Sequence, residues 1–154
     1  LAKKVTGKGQ RTASGKLATA KSTPSEVHSR TRSDHSVETA EDYVEAIAEI
    51  GRGKADCRIS DLAKYFGVSH VTVHRIIARL QGEGLVDTQP YRPVVLTRRG
   101  AEVAARSQKR HEIVYRFLLS LGVSTEIAIQ DAEGIEHHVS PQTLQKMEAW
   151  MANA

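Results

Sequence analysis

The chain has 154 residues, enough for one mid-sized domain or two small helical domains sharing a core. Aromatic content is only 5%, so packing is expected to be aliphatic and helical, and the single cysteine, Cys57, excludes an internal disulfide and a cysteine-rich zinc site and fits a reducing cytoplasm. No apolar run approaches the roughly 18–20 residues that span a bilayer, no signal peptide is visible, and the +4 net charge is uneven: eight basic and two acidic residues over 1–35, fourteen and sixteen thereafter. Any nucleic-acid surface on the folded part must therefore be a local patch.

Residues 1–35 are rich in Lys, Thr, Ser and Gly. So little apolar surface cannot offset chain entropy, and this stretch is expected to be a disordered basic tail. It reads either as inert or as an arm adding non-specific phosphate attraction. A helix follows over residues 39–50, with Thr39 able to cap it and Gly51 to stop it. Tyr43, Ile47 and Ile50 make its buried stripe, while Glu38, Asp42, Glu45 and Glu49 fall opposite. Read alone, that acidic row is a solvated face, and Thr39-x-x-Asp42 resembles a capping box.

Residues 59–66 read as a short helix opened by Ser60, with Gly67-Val68 as a turn. Ser69 then caps a second helix running to about Glu83, ended by Gly84. Val73, Ile76, Ile77 and Leu80 face inward; Val71, His74, Arg75 and Ala78 face out, with Arg79 beside them and His70 at the tip. A slim outward face with polar reach near its N-terminus suits the major groove. Ser69, His70, Val71, Thr72, His74, Arg75 and Arg79 are the expected DNA contacts. His70 and His74, four apart, could instead hold a metal, but such residues more often meet DNA or solvent. Leu85-Val86-Asp87 and Val94-Val95-Leu96 form a two-stranded wing, with Arg92 near its tip for a phosphate or minor-groove contact. Leu62-Ala63-x-x-x-Gly67-Val68-Ser69, followed by Val73, Gly84-Leu85-Val86 and Leu96-Thr97, is a specific winged-helix pattern.

Thr97 opens a long helix to about Leu121, stopped by Gly122. Arg98 and Arg99 lie near the wing, and Ile113, Val114, Phe117, Leu118 and Leu121 make a wide apolar stripe for the domain and a partner subunit. His111-Glu112 begins like a zinc-protease motif, but Tyr115 stands where the second histidine is needed. Ser124 caps a helix expected to run through His138, with Ala128, Ala132, Ile135 and Val139 buried. Glu133, Glu136 and His137 share an arc of roughly 100°, and His138 lies about 100° further round. Gly134 in mid-helix costs about 1 kcal/mol against Ala, which makes sense if something approaches the backbone closely. Pro141 starts a last helix whose apolar face is Leu144, Met147, Trp150 and Met151.

Glu41-Asp42-Tyr43-x-Glu45, Arg110-His111-Glu112, Leu121-Gly122-Val123 and Asp131-x-Glu133-Gly134-Ile135-Glu136-His137-His138 together make the chain resemble the manganese-responsive branch of the diphtheria toxin repressor family, over about residues 38–150. The resemblance implies a mainly α protein that has, after the tail at 1–35, a winged helix-turn-helix domain at 36–97 and an all-helical metal-binding and dimerisation domain at 98–154. It implies that Asp42, Glu45, His111, Glu133, Glu136 and His137 hold two manganese ions per subunit between the domains. A homodimer would bind a palindromic double-stranded operator and repress manganese transport and homeostasis genes. The 35-residue tail departs from the pattern. So does Pro93, where relatives commonly place Gly in the wing.

Four carboxylates and two imidazoles without sulfur suit a hard dication such as manganese, with ferrous iron possible. Packed together without a cation, the acids repel each other and lose hydration. Two other readings are weaker. Few aromatics and one ordinary cysteine disfavour a sensor of an organic ligand or thiol chemistry. A two-metal enzyme on a helical bundle needs Glu-x-x-His pairs, whereas Glu133 is four before His137 and Glu136 adjoins it, so no enzyme is expected.

Overall fold

The computed structural model describes residues 24–53 and 56–153, with side chains from residue 35 onward. Helix α1 spans Pro24–Arg52, so it starts well before Thr39. Residues 24–35, expected as part of the tail, are helical, and the disorder expected of residues 1–23 lies outside the described residues. Thr39 does not cap: its hydroxyl donates to the His35 carbonyl at 2.7 Å, one turn back within a continuing helix. The physical reason is cooperativity. Once Tyr43, Val44 and Ile47 anchor the C-terminal half in the core, adding polar turns upstream needs no new nucleus.

The helix-turn-helix and its wing follow. Helix α2 (Ile59–Phe66) starts at Ile59 rather than at Ser60. Asp61 accepts from the Arg58 backbone N–H at 2.8 Å and so satisfies a first-turn donor. Gly67, at φ 65°, turns the chain into α3 (His70–Gly82), where Ser69 Oγ accepts from the Thr72 N–H as expected of a cap. Strands β1 (Val86–Asp87) and β2 (Val95–Leu96) pair antiparallel, with Val86 opposite Leu96. The wing's left-handed residue is Tyr91, at φ 64°, so its turn does not depend on a glycine at position 93.

Tyr43, Val44, Leu62, Val73, Ile77, Leu80, Leu85, Val86 and Val94 form the core, and Ala104 of α4 (Arg98–Ser120) joins it. Tyr43 stacks on Phe66 with ring centroids 4.2 Å apart. Thus α1 and α4 leave the winged helix already packed together, which fixes where their outer faces meet. Cys57 is buried, and burial pushes its thiol up to about 11, with the Asp61 charge adding to the effect. It is not a reactive thiol.

Gly100 is where α4 crosses the wing. A Cβ there would lie 1.9 Å from the Leu85 carbonyl oxygen, which is backbone and cannot swing aside. That carbonyl also accepts from the Thr97 N–H at 3.0 Å. Gly100→Ala is therefore expected to destabilise the protein by at least about 1–3 kcal/mol in urea unfolding. Wild-type stability would count against this packing.

The second half consists of the rest of α4, then α5 (Thr125–Ile135), a 3-10 turn at Glu136–His138, and α6 (Pro141–Asn153). Val114, Ala128 and Ala132 are fully buried where α4 meets α5. The helix expected to continue through His138 tightens into the 3-10 turn after Ile135, which re-aims Glu136 and His137. No neighbouring atom lies within 4 Å of a Cβ at Gly134, so the expected close approach there is not seen. On α6 no residue is fully buried, and Trp150 is 58% exposed. Among the described residues no helix is long and apolar enough to cross a membrane.

Candidate metal centre and nucleic-acid interface

Helix α1 buries Tyr43, Val44 and Ile47 in the core, which turns Glu38, Asp42 and Glu45 the other way. They face His111 of α4 and the end of α5. Asp42, Glu45, His111, Glu133, Glu136 and His137 all line one cavity of about 880 Å³ at the junction of the two halves. Residues up to 95 positions apart in sequence thus share one wall.

The contacts within it are specific. His111 Nδ1 lies 2.7 Å from Glu136 Oε2 and 3.7 Å from Glu133 Oε1. His137 Nε2 lies 3.4 Å from Asp42 Oδ1 and 3.5 Å from Glu136 Oε1. Glu136, only 3% exposed, stands between both imidazoles. Among the described residues no three His, Cys, Asp or Glu side chains have the mutual spacing of a ligand shell; the imidazoles and acids are paired with one another instead.

The electrostatics nonetheless fit a cation. Glu45 Oε1 is buried without a hydrogen-bond partner. Burial also raises the Glu45 carboxyl, with Ser107 opposing and the charges of Asp42 and Glu133 adding. Burial pushes Glu136 up to about 7, with the Glu45 charge adding and His111 opposing. His137 is raised to about 10, by Asp42 first and Glu41 second. A buried cluster of acids that resist ionising, with one carboxylate oxygen lacking a donor, is an environment that favours a bound cation. The oxygen-rich donor set fits a hard dication.

Two residues left out of the expected ligand set belong to this region. Glu41 lies 3.0 Å from His137 Nδ1 and pairs with Arg110. Both stand beside expected ligands in sequence, but only the folded chain shows what they touch. His138, expected outside the ligand set, also lines this cavity, where its Nε2 lies 3.3 Å from Glu38.

On the opposite side, Ser69, His70, Val71, Thr72, His74 and Arg75 are all exposed along α3. Ser69 and Thr72 also bond each other at 2.9 Å, within the cap. His70 and His74, with Tyr91 and Arg92 of the wing, line a groove of about 590 Å³. Tyr91, fully exposed at the wing tip, was not among the expected contacts. Arg79 is not brought to this face. Its Nη1 donates to Ser36 Oγ at 2.7 Å and its Nη2 to the Ser36 carbonyl at 3.1 Å, so it ties α3 to α1. The helical-wheel reading placed it beside the groove face because the wheel omits the long reach of arginine. Accordingly, Arg75→Ala should weaken operator binding and lower its salt slope by about 1. Arg79→Ala should instead lower unfolding stability by about 1 kcal/mol and leave the salt slope alone; equal effects on the slope would reject this division.

A winged helix joined to a helical half, with an acid–imidazole cavity at the joint, defines the class of regulators that couple ion binding to DNA binding. Residues 35–94 match the family described as iron dependent repressor, N-terminal DNA binding domain, and residues 97–154 its metal binding and dimerisation domain. The transcriptional regulator MntR of Escherichia coli O6:H1 is 48% identical over 113 residues, which is 73% of each chain. MntR of Bacillus subtilis is 34% identical over 107 residues, covering 70% of this chain and 75% of its own. A manganese-dependent transcriptional repressor solved in complex with manganese superposes with a TM-score of 0.66 at 30% identity, over 73% of this chain and 52% of that one. The manganese regulator SloR, at 23% identity and a TM-score of 0.65, shares the fold over 75% of this chain and 54% of its own. The present chain thus spans about half the length of these solved relatives. It belongs to the MntR family of transcriptional regulators, within the iron-dependent repressors, a family of regulators rather than enzymes.

Proposed function

We propose that this protein is a manganese-dependent repressor that controls manganese transport and homeostasis genes. Its halves are residues 36–97, which bind DNA, and 98–154, which bind metal and dimerise, a division supported by family matches over residues 35–94 and 97–154. The observation that carries the reading is the single cavity where α1 of the DNA-binding half meets α4, α5 and the 3-10 turn. Asp42, Glu45, His111, Glu133, Glu136 and His137 would hold manganese there, two ions per subunit, with ferrous iron an alternative the same donors admit. When bound, the ions supply positive charge to a buried acidic cluster.

The chain's own residues do the rest. Asp42 and Glu45 ride on the helix that packs against α2 and, through Arg79, against α3. Pulling those carboxylates toward His111 and Glu136 narrows the range of positions the recognition helix takes relative to the dimerisation half. In a homodimer this sets two recognition helices about 34 Å apart, or a multiple, matching a palindromic operator. The exposed Trp150 of α6 and the exposed Leu121 suit burial against a second copy. Such a regulator works on DNA in the cytoplasm.

The test is a gel-shift titration over a panel of divalent metals, using DNA upstream of the host's metal transporter genes. Tight binding should need manganese and vanish in chelator. Binding that ignores metal would overturn the reading.

A further inference from the structure

Glu41 is an acid on α1 that does not line the cavity. Its Oε2 faces two donors at once. His137 Nδ1 lies 3.0 Å away, and Arg110 Nη2 donates to the same oxygen while also donating to Ser107 Oγ at 3.1 Å. The side chains of Glu41 and His137 are only 14% and 9% exposed, so water competes little for these bonds. The other ring nitrogen of His137 looks the opposite way, toward Asp42 Oδ1 and Glu136 Oε1 at 3.4 and 3.5 Å.

An ionised carboxylate only accepts hydrogen bonds, and the guanidinium of Arg110 keeps its charge at any ordinary pH. A nitrogen held against that carboxylate must therefore carry a proton. We infer that Glu41, clamped by Arg110, is a positioning residue that fixes His137 with its proton on Nδ1 and aims Nε2 into the cavity as the ligating atom. The inference rests on the proposed metal function and says how one ligand is prepared. A partner of this kind fixes both the tautomer and the ring angle of a ligating histidine. Glu41 is poorly placed to ligate by itself: its Oε2 already serves two donors, and a dication there would sit against the Arg110 guanidinium. Because Glu41 belongs to α1 while Arg110 and His137 belong to α4 and the 3-10 turn, the same contact joins the two halves without any ion.

The experiment compares full-length wild type with Glu41→Ala, Glu41→Gln and Arg110→Gln. Manganese affinity is measured by calorimetry, and the histidine ring nitrogens are followed by nitrogen-15 NMR in the diamagnetic zinc-loaded protein. Glu41→Ala should weaken manganese binding by about 10–100-fold and release the His137 Nδ1–H to fast exchange. Glu41→Gln keeps an accepting oxygen and should stay within about threefold of wild type. Arg110→Gln loosens the clamp and should speed the same exchange. A wild-type His137 bound to zinc through Nδ1 would overturn the inference even if a variant failed to fold. So would Glu41→Gln falling as far as Glu41→Ala, or Glu41→Ala binding like wild type. Wild type that binds no manganese would overturn the metal function itself, which is a separate outcome from these.

Discussion

Glu136→Gln should abolish manganese-dependent operator binding while leaving the metal-free protein as stable as wild type or more so. Glu136 sits between His111 at 2.7 Å and His137 at 3.5 Å, so it touches donors on both sides of the cavity. As a ligand it must be ionised, yet burial holds it up near 7, with Glu45 adding to the effect. Gln keeps the volume and one accepting oxygen for His111 but removes the charge. Manganese affinity is expected to fall by more than about 100-fold, and half-maximal operator binding to shift accordingly. Chemical unfolding in chelator should change by less than about 1 kcal/mol, or rise, because burial already disfavours the charge that Gln removes while the oxygen facing His111 is kept. If Glu136 were only a structural hydrogen-bonding group, Gln would bind manganese normally.

In chelator, the protein should lose thermal stability as pH rises from 5 to 8. Glu136 is raised from an ordinary 4.5 to about 7, so the folded state holds a proton that the unfolded state gives up. Its contribution is complete below about 4.5 and lost as pH climbs through 7. His137, raised from 6.5 to about 10, contributes fully below 6.5 and loses that contribution as pH rises toward 10. Both slopes therefore run the same way across this window, and Glu45 is shifted in the same direction. A fall of roughly 5 °C in melting temperature is expected between pH 5 and 8. Manganese should reverse the trend, because its binding displaces those protons and so strengthens with pH. A melting temperature that climbs with pH in chelator would contradict the acid cluster described above.

Much of the fold was legible in the residues because its signals are local. Ser69 before His70, Thr97 before Arg98 and Gly67 after Phe66 mark helix ends through hydrogen bonds and a positive φ that span only a few positions. Helical period marks Tyr43, Ile47 and Ile50 as a buried stripe; Tyr43 and Ile47 are buried, Ile50 only partly, and the neighbouring Val44 is fully buried. The same period placed Asp42 and Glu45 on the far face, but a helix seen alone cannot tell a solvated acidic row from a site. The start of α1 was misread because its first turns carry no apolar stripe and persist only as an extension of an anchored helix.

Sequence by itself determined the donor types, their spacing within each helix, and the winged-helix pattern. Only tertiary structure decided that α1, α4 and the 3-10 turn share one cavity, that Arg79 turns to Ser36, and that Glu41 and Arg110 stand behind His137. The reason is range. Caps and periodicity are set within a turn or two of chain, whereas each of those contacts spans at least 43 positions and depends on how helices pack.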